Sequence, residues 1–158
     1  MIHNIDYTAL AAFRYEIRRF LNFSEQAARE AGIEPHQHQA LLAIKGLPIG
    51  QKPIIAALAE RLQIQHHSAV ELTDRLEASR LIHRLRNKSD RREVLLRLTP
   101  QGEKLLRRLS VTHQVELKLA GAQLLKALAK AIGRRGRRPH PALENEVHSV
   151  ARRDIRPK

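Results

Sequence analysis

The hydrophobic repeat of this chain changes period at one place, and that change limits the folds open to it. From about Tyr7 to Ser79 apolar residues recur at steps of three and four, the mark of amphipathic helices. From Val94 to Leu98 they alternate: Val94, Leu96 and Leu98 share one face while Leu95 and Arg97 take the other, as in a strand. Beyond Pro100 the helical step returns. A chain patterned this way makes helices, one small sheet, then a further helix.

The punctuation divides the helical part. Leu10, Phe13, Ile17, Phe20, Leu21 and Ala28 predict a first helix from about Tyr7 to Ala31, ended at Gly32. Pro35 suits the first turn of a second helix carrying Ala40, Leu41 and Ile44. Gly46, Pro48, Gly50 and Pro53 mark a loop. A third helix is predicted from about Pro53 to Leu62, with Ile54, Ala57, Leu58 and Leu62 as its apolar positions. After a break at Gln63-Ile64-Gln65, a fourth runs to about Ser79 with Ala69, Leu72, Thr73 and Leu76 inward. Leu81 to Arg86 is the partner strand, and the polar stretch Asn87 to Arg92 is the hairpin tip. Thr99 reads as an N-cap and Pro100 as the first residue of a long helix reaching about Ile132. The fold class is therefore mainly α with a small β-hairpin wing, a winged helix-turn-helix flanked by long N- and C-terminal helices. The expected parts are an N-terminal helix within 1–34, a DNA-binding unit over 35–99, a long helix over 100–132 and a basic tail over 133–158.

Charge points to the partner. Among 158 residues, Lys and Arg number 29 against 16 Asp and Glu, a formal net charge of +13. Residues 75–108 hold +7 of it, with Arg interleaved among Leu, Ile and Val as on a folded surface. Residues 133–158 hold +5 in a looser arm that begins Gly133-Arg134-Arg135-Gly136-Arg137-Arg138. Like charges repel, so the excess serves a polyanion rather than stability. No apolar stretch is long enough to span a membrane, and Met1 to Asp6 lacks the start of a signal peptide, so a cytoplasmic location is expected. With no cysteine, disulfides and thiolate zinc sites are excluded.

Catalysis is not expected. The chain has no nucleophile elbow, phosphate loop or dinucleotide fingerprint. His66 and His67 are adjacent, so in a helix they point about 100° apart, and neither they nor His36-x-His38 has a carboxylate placed to complete a metal site. No cofactor or metal is implied. With the fourth helix packed through Ala69, Leu72, Thr73 and Leu76, its outward face is His66, His67, Ser68, Val70, Glu71, Asp74 and Arg75. A helix enters the major groove through its first two turns. That sets His66, His67, Ser68 and Val70 near base edges, Glu71 where a carboxylate accepts from cytosine N4, and Arg75 on phosphate. The alternative is a sequence-indifferent nucleic-acid packaging protein, for which the tail and the charge suffice.

The residues also resemble a known family. Leu58-Ala59-Glu60-Arg61-Leu62, Ser68-Ala69-Val70 and Asp74-Arg75-Leu76-Glu77, in that order, are similar to the helix-turn-helix of the MarR family of bacterial regulators. Leu81-Ile82, Ser89-Asp90-Arg91-Arg92 and Leu98-Thr99-Pro100-Gln101-Gly102 resemble its wing and the start of its next helix. The resemblance implies a homodimeric transcription factor, expected to be a repressor, whose terminal helices dimerise and which reads a pseudo-palindromic operator. It further implies that Asp90 orients Arg92 into the minor groove while Arg91 meets the backbone. Release by a small aromatic effector is also implied, with Phe13, Ile17 and Phe20 as candidate contacts. Two positions depart from the pattern. Arg80 stands where the family usually has Gly, which predicts an arginine with positive φ, and Glu71 stands where it often has a basic or small residue.

Overall fold

A computed structural model describes residues 5–87 and 93–133. Helices α1 (Tyr7–Glu30), α2 (Pro35–Lys45), α3 (Ile55–Leu62) and α4 (His66–Ala78) precede strands β1 (Ile82–Arg86) and β2 (Val94–Leu98), and α5 (Pro100–Ala131) follows. The mainly helical class with one hairpin is therefore as the sequence predicts. The hairpin tip with Asp90, Arg91 and Arg92, and the arm from 134 to 158, lie outside the described residues.

Short-range chemistry starts each long element. Asp6 Oδ1 accepts from the Ala9 N–H at 2.9 Å and opens α1. Glu34 and Gln37 form a reciprocal capping box around Pro35 at the head of α2. Thr99 Oγ1 accepts from the Gly102 N–H at 3.0 Å and opens α5.

Three helices end in the same way. Gly32, Gln63 and Arg80 adopt φ of 83°, 53° and 57°. The following N–H then closes on the last turn: Ile33 to Ala28, Ile64 to Ala59 and Leu81 to Leu76. Each of those three apolar residues packs into or against the core. Only one of the three turns uses glycine. The other two hold a side chain where a Cβ is strained, at about 1 kcal/mol or more apiece.

The core lies between α2, α3, α4, the hairpin and the first turns of α5. Ala40, Leu41, Ile44, Leu58, Leu72, Leu76, Leu81, Ile82, Leu96 and Leu106 form one buried cluster. The inward residues of α4 are Ala69, Leu72, Thr73 and Leu76, as the spacing requires. β1 and β2 pair antiparallel, from Ile82 opposite Leu98 to Arg86 opposite Val94.

Two boundaries differ from the periodicity, each for a local reason. α3 begins at Ile55 rather than near Pro53, because the Pro53 carbonyl accepts from the Leu96 N–H at 2.7 Å and Ile54 stays extended. β1 begins at Ile82 rather than Leu81, because Leu81 completes the turn that ends α4.

Leu81 is also where α5 is fastened. Its carbonyl accepts from the Thr99 N–H at 3.0 Å, and the Arg80 carbonyl accepts from Thr99 Oγ1 at 2.7 Å. Gly102 packs on the same group: a Cβ there would lie 2.0 Å from the Leu81 oxygen. α5 then runs 32 residues and packs along α1. The fully buried residues of α1 are two alanines, Ala9 and Ala28, while Tyr7 and Tyr15 are 74 % and 62 % exposed. Leu119, Leu125 and Ile132 of the distal chain are exposed as well.

Substitutions on either side of Leu81 should shift stability in opposite directions. Arg80→Gly relieves the left-handed strain and is expected to raise stability by about 0.5–1 kcal/mol. Gly102→Ala forces a methyl into the Leu81 carbonyl and should lower it by about 2–3 kcal/mol. Thermal unfolding of both variants beside the parent chain checks the pair, and equal shifts would contradict it.

Candidate nucleic-acid interface

Packing decides which side of α4 is free. With Ala69, Leu72, Thr73 and Leu76 inward, His66, His67, Glu71 and Arg75 are exposed and Ser68 and Val70 are half-buried. The helix begins after Gln65 with no side-chain cap, so its first-turn amides face outward and give that end a partial positive charge. The three-residue turn Gln63-Ile64-Gln65 sets α4 against α3, and Ile64 anchors it in the core.

The base of the hairpin is fastened on both flanks. On the β2 side, Lys52 Nζ lies 2.7 Å from Glu93 Oε2, and Asn87 Nδ2 donates to the same oxygen. The Lys52 bond first, and the Asn87 bond second, hold the Glu93 carboxyl below its ordinary range. On the β1 side, Arg84 reaches Asp74 and Glu77 of α4. These cross-links make hairpin and helix one surface. The amphipathic pattern did not single out Arg84, Glu77, Lys52 or Glu93. The readable signal was the pair of carboxylates three residues apart on α4, matched to a cation on the inward register of β1.

Behind this surface, α1, α2 and α5 meet at two imidazoles. His38 of α2 is 3 % exposed, and its ring lies 4.7 Å from that of His113 on α5. His113 Nδ1 is 2.6 Å from the Leu109 carbonyl, which only accepts, so that nitrogen carries the proton. In the neutral ring Nε2 therefore accepts from Ser24 Oγ at 2.8 Å. Phe20 and Phe23 of α1 meet His113 edge-on. His38 Nδ1 has no hydrogen-bond partner in this setting. Burial, and then the neighbouring His113, push the His38 imidazole down to about 4.

Among the residues proposed from sequence, the outward set on α4 shares one exposed face, whereas Asp90, Arg91 and Arg92 are outside the described residues. Phe13, Ile17 and Phe20 are half-buried along α1, and the recess that includes Phe20 has a volume of only about 10 Å³. A larger cavity, about 390 Å³, opens instead between the end of α1, α2, the end of α4 and α5. Ile33, Gln37, Leu81, Leu105, Lys104 and Arg108 are among its lining residues. Among the described residues no group of three or more His, Asp or Glu side chains is placed to hold a metal ion. Nor is any described helix long and apolar enough to cross a membrane.

An exposed helix fixed to a braced hairpin on a three-helix core defines a winged helix-turn-helix protein. Residues 31–93 match the MarR family. AbsC, a MarR family transcriptional regulator from Streptomyces coelicolor, superposes with a TM-score of 0.66 at 17 % identity, over 94 % of this chain and 98 % of its own. A MepR variant from Staphylococcus aureus, solved bound to an oligodeoxyribonucleotide, gives 0.56 at 21 % identity over 94 % of each chain. RV1404 from Mycobacterium tuberculosis gives 0.61 at 20 % identity, over 96 % of this chain and 94 % of its own. No curated protein matches the chain by sequence. The family match thus covers residues 31–93, and the fold of the chain is that of the solved MarR family structures.

The buried imidazole makes stability depend on pH. The folded value of His38, about 4, lies below the ordinary 6.5, so folding favours the neutral ring. Its contribution is complete above pH 6.5 and is lost as pH falls from 6.5 towards 4, on the order of 3 kcal/mol in all. The melting temperature is expected to hold from pH 7.5 to 6.5 and then decline. In His38→Leu that decline should be distinctly shallower, and an unchanged slope would contradict the assignment.

Proposed function

We propose that this chain acts as a homodimeric repressor that binds a pseudo-palindromic duplex. The observation that carries the reading is the exposed face of α4 beside the fastened hairpin. His66, His67, Ser68 and Val70 address base edges in the major groove, with Val70 suited to a thymine methyl and Glu71 to cytosine N4. Arg75 takes phosphate. Asp90 orients Arg92 into the minor groove, where negative potential favours a guanidinium, and Arg91 meets the backbone. Neutralised phosphates supply most of the affinity, and the base contacts supply preference.

The second copy is argued from α1 and α5. Tyr7, Tyr15, Leu119 and Leu125 are more than 60 % exposed on a framework that extends past the winged-helix core. Apolar surface of that extent supports burial against a partner, and a twofold pair presents two α4 helices to half-sites about one turn, or 10 bp, apart. MepR, a structural neighbour, has been solved with an oligodeoxyribonucleotide, which supports the DNA role. For a small aromatic effector, the cavity of about 390 Å³ beside Lys104 and Arg108 offers more room than the Phe13, Ile17 and Phe20 positions. A cytoplasmic location accords with this role.

Selection of bound sites from a random duplex pool tests the proposal. The expected result is one twofold-symmetric sequence, preferred over random duplex by at least roughly 10³. Arg92→Ala should weaken binding to it by about tenfold or more while the melting temperature holds. Recovery of no preferred sequence would instead favour a packaging protein driven by charge alone.

A further inference from the structure

Arg84 is the third residue of β1, on the face that carries Ile82 into the core. Its guanidinium crosses to α4, where Nη2 donates to Asp74 Oδ1 at 2.6 Å and Nη1 to Glu77 Oε2 at 3.0 Å. Its backbone N–H also donates to Glu77 Oε1 at 3.3 Å. Asp74 and Glu77 stand one helical turn apart, so one planar fork spans both. The Arg84 side chain is 27 % exposed, and Nε is buried without a hydrogen-bond partner. Held by two carboxylates, this guanidinium is not presented to phosphate.

We propose that Arg84 is a positioning residue that fixes the angle between the hairpin and α4, and thereby sets discrimination between DNA sequences without touching DNA. The inference rests on the DNA-binding reading above. Three observations support it. The bracket joins the strand backbone to Glu77 and the Arg84 guanidinium to both Glu77 and Asp74 of the exposed helix, so the strand can neither slide nor tilt without breaking a bond. The other strand is fixed independently, through Lys52 with Glu93 and through the Pro53 carbonyl with the Leu96 N–H. Each strand is thus tied to a different part of the helix-turn-helix. Lastly, Asp74 and Glu77 are 56 % and 40 % exposed, and ion pairs so hydrated add little to stability. What they add here is geometry. Two carboxylates on a helix that faces a polyanion work against binding, and a single guanidinium leaves one of their charges uncompensated.

The test uses the full chain and compares affinity for its selected duplex with affinity for random duplex. Arg84→Met should lower that ratio by at least about tenfold, with a melting temperature close to the parent's. Adding Asp74→Asn and Glu77→Gln removes the carboxylates that Arg84→Met exposes; random-duplex affinity should recover while the ratio stays low. Arg84→Lys keeps the charge and the fold but not the fork, so it should fall between, and it decides the matter should Arg84→Met unfold. A ratio unchanged in Arg84→Met or Arg84→Lys overturns the proposal, because both affinities falling together would mark a phosphate contact. A ratio restored in the triple variant overturns it too, leaving only charge cancellation. A parent chain with no preferred duplex overturns the DNA-binding reading itself, and the positioning role with it.

Discussion

The layout depends on the backbone of Arg80 and Leu81. Between Ala78 and Ile82, α4 gives way to β1, and the chain from β2 returns there to start α5. The Arg80 carbonyl takes the Thr99 hydroxyl, the Leu81 carbonyl takes the Thr99 amide, and Gly102 closes over that carbonyl with no room for a side chain. The Leu81 side chain meanwhile sits in the core at 3 % exposure. Backbone carbonyls need partners, and here both find theirs in Thr99, the N-cap of α5. The exposed helix, the hairpin and the long C-terminal helix are therefore set relative to one another by a few hydrogen bonds and one missing Cβ.

Much of this was readable in the sequence, because local rules and the fold agree at the relevant residues. Period alone separated the helices from Val94–Leu98 and picked out the buried face of α4. The cap at Thr99 followed from side-chain chemistry, and the positive φ of Arg80 from the resemblance to a family that usually has Gly there. What escaped was non-local. Pro53 reads as a helix start until its carbonyl is seen to serve β2 across 43 residues of chain. Gln63 carries no sign that it turns left-handed, since glutamine has no preference for that region. Arg84 and His38 look like an ordinary surface cation and an ordinary polar helix residue. Only the packing turns one into a bracket and buries the other beside a second imidazole.

Charge is arranged by the same logic. A net charge of +13 draws the chain to any polyanion, and attraction of that kind carries no information about sequence. The exposed helix carries Glu71, Asp74 and Glu77, which act against indiscriminate attraction. Two of the three are engaged by Arg84. Acidic side chains thus stand on α4, while the cationic excess lies in residues 75–108 and 133–158 of the sequence.

The length of α5 has a mechanical consequence. At 32 residues the helix is about 48 Å from end to end, and its first turn is fastened beside the hairpin. Treated as a stiff rod pivoting at its far end, it would carry the hairpin through about 4 Å for a tilt of only about 5°, close to the 3.4 Å rise between stacked bases. Leverage of this size makes the distal half of the rod the place where the smallest deformation has the largest effect on the position of the hairpin.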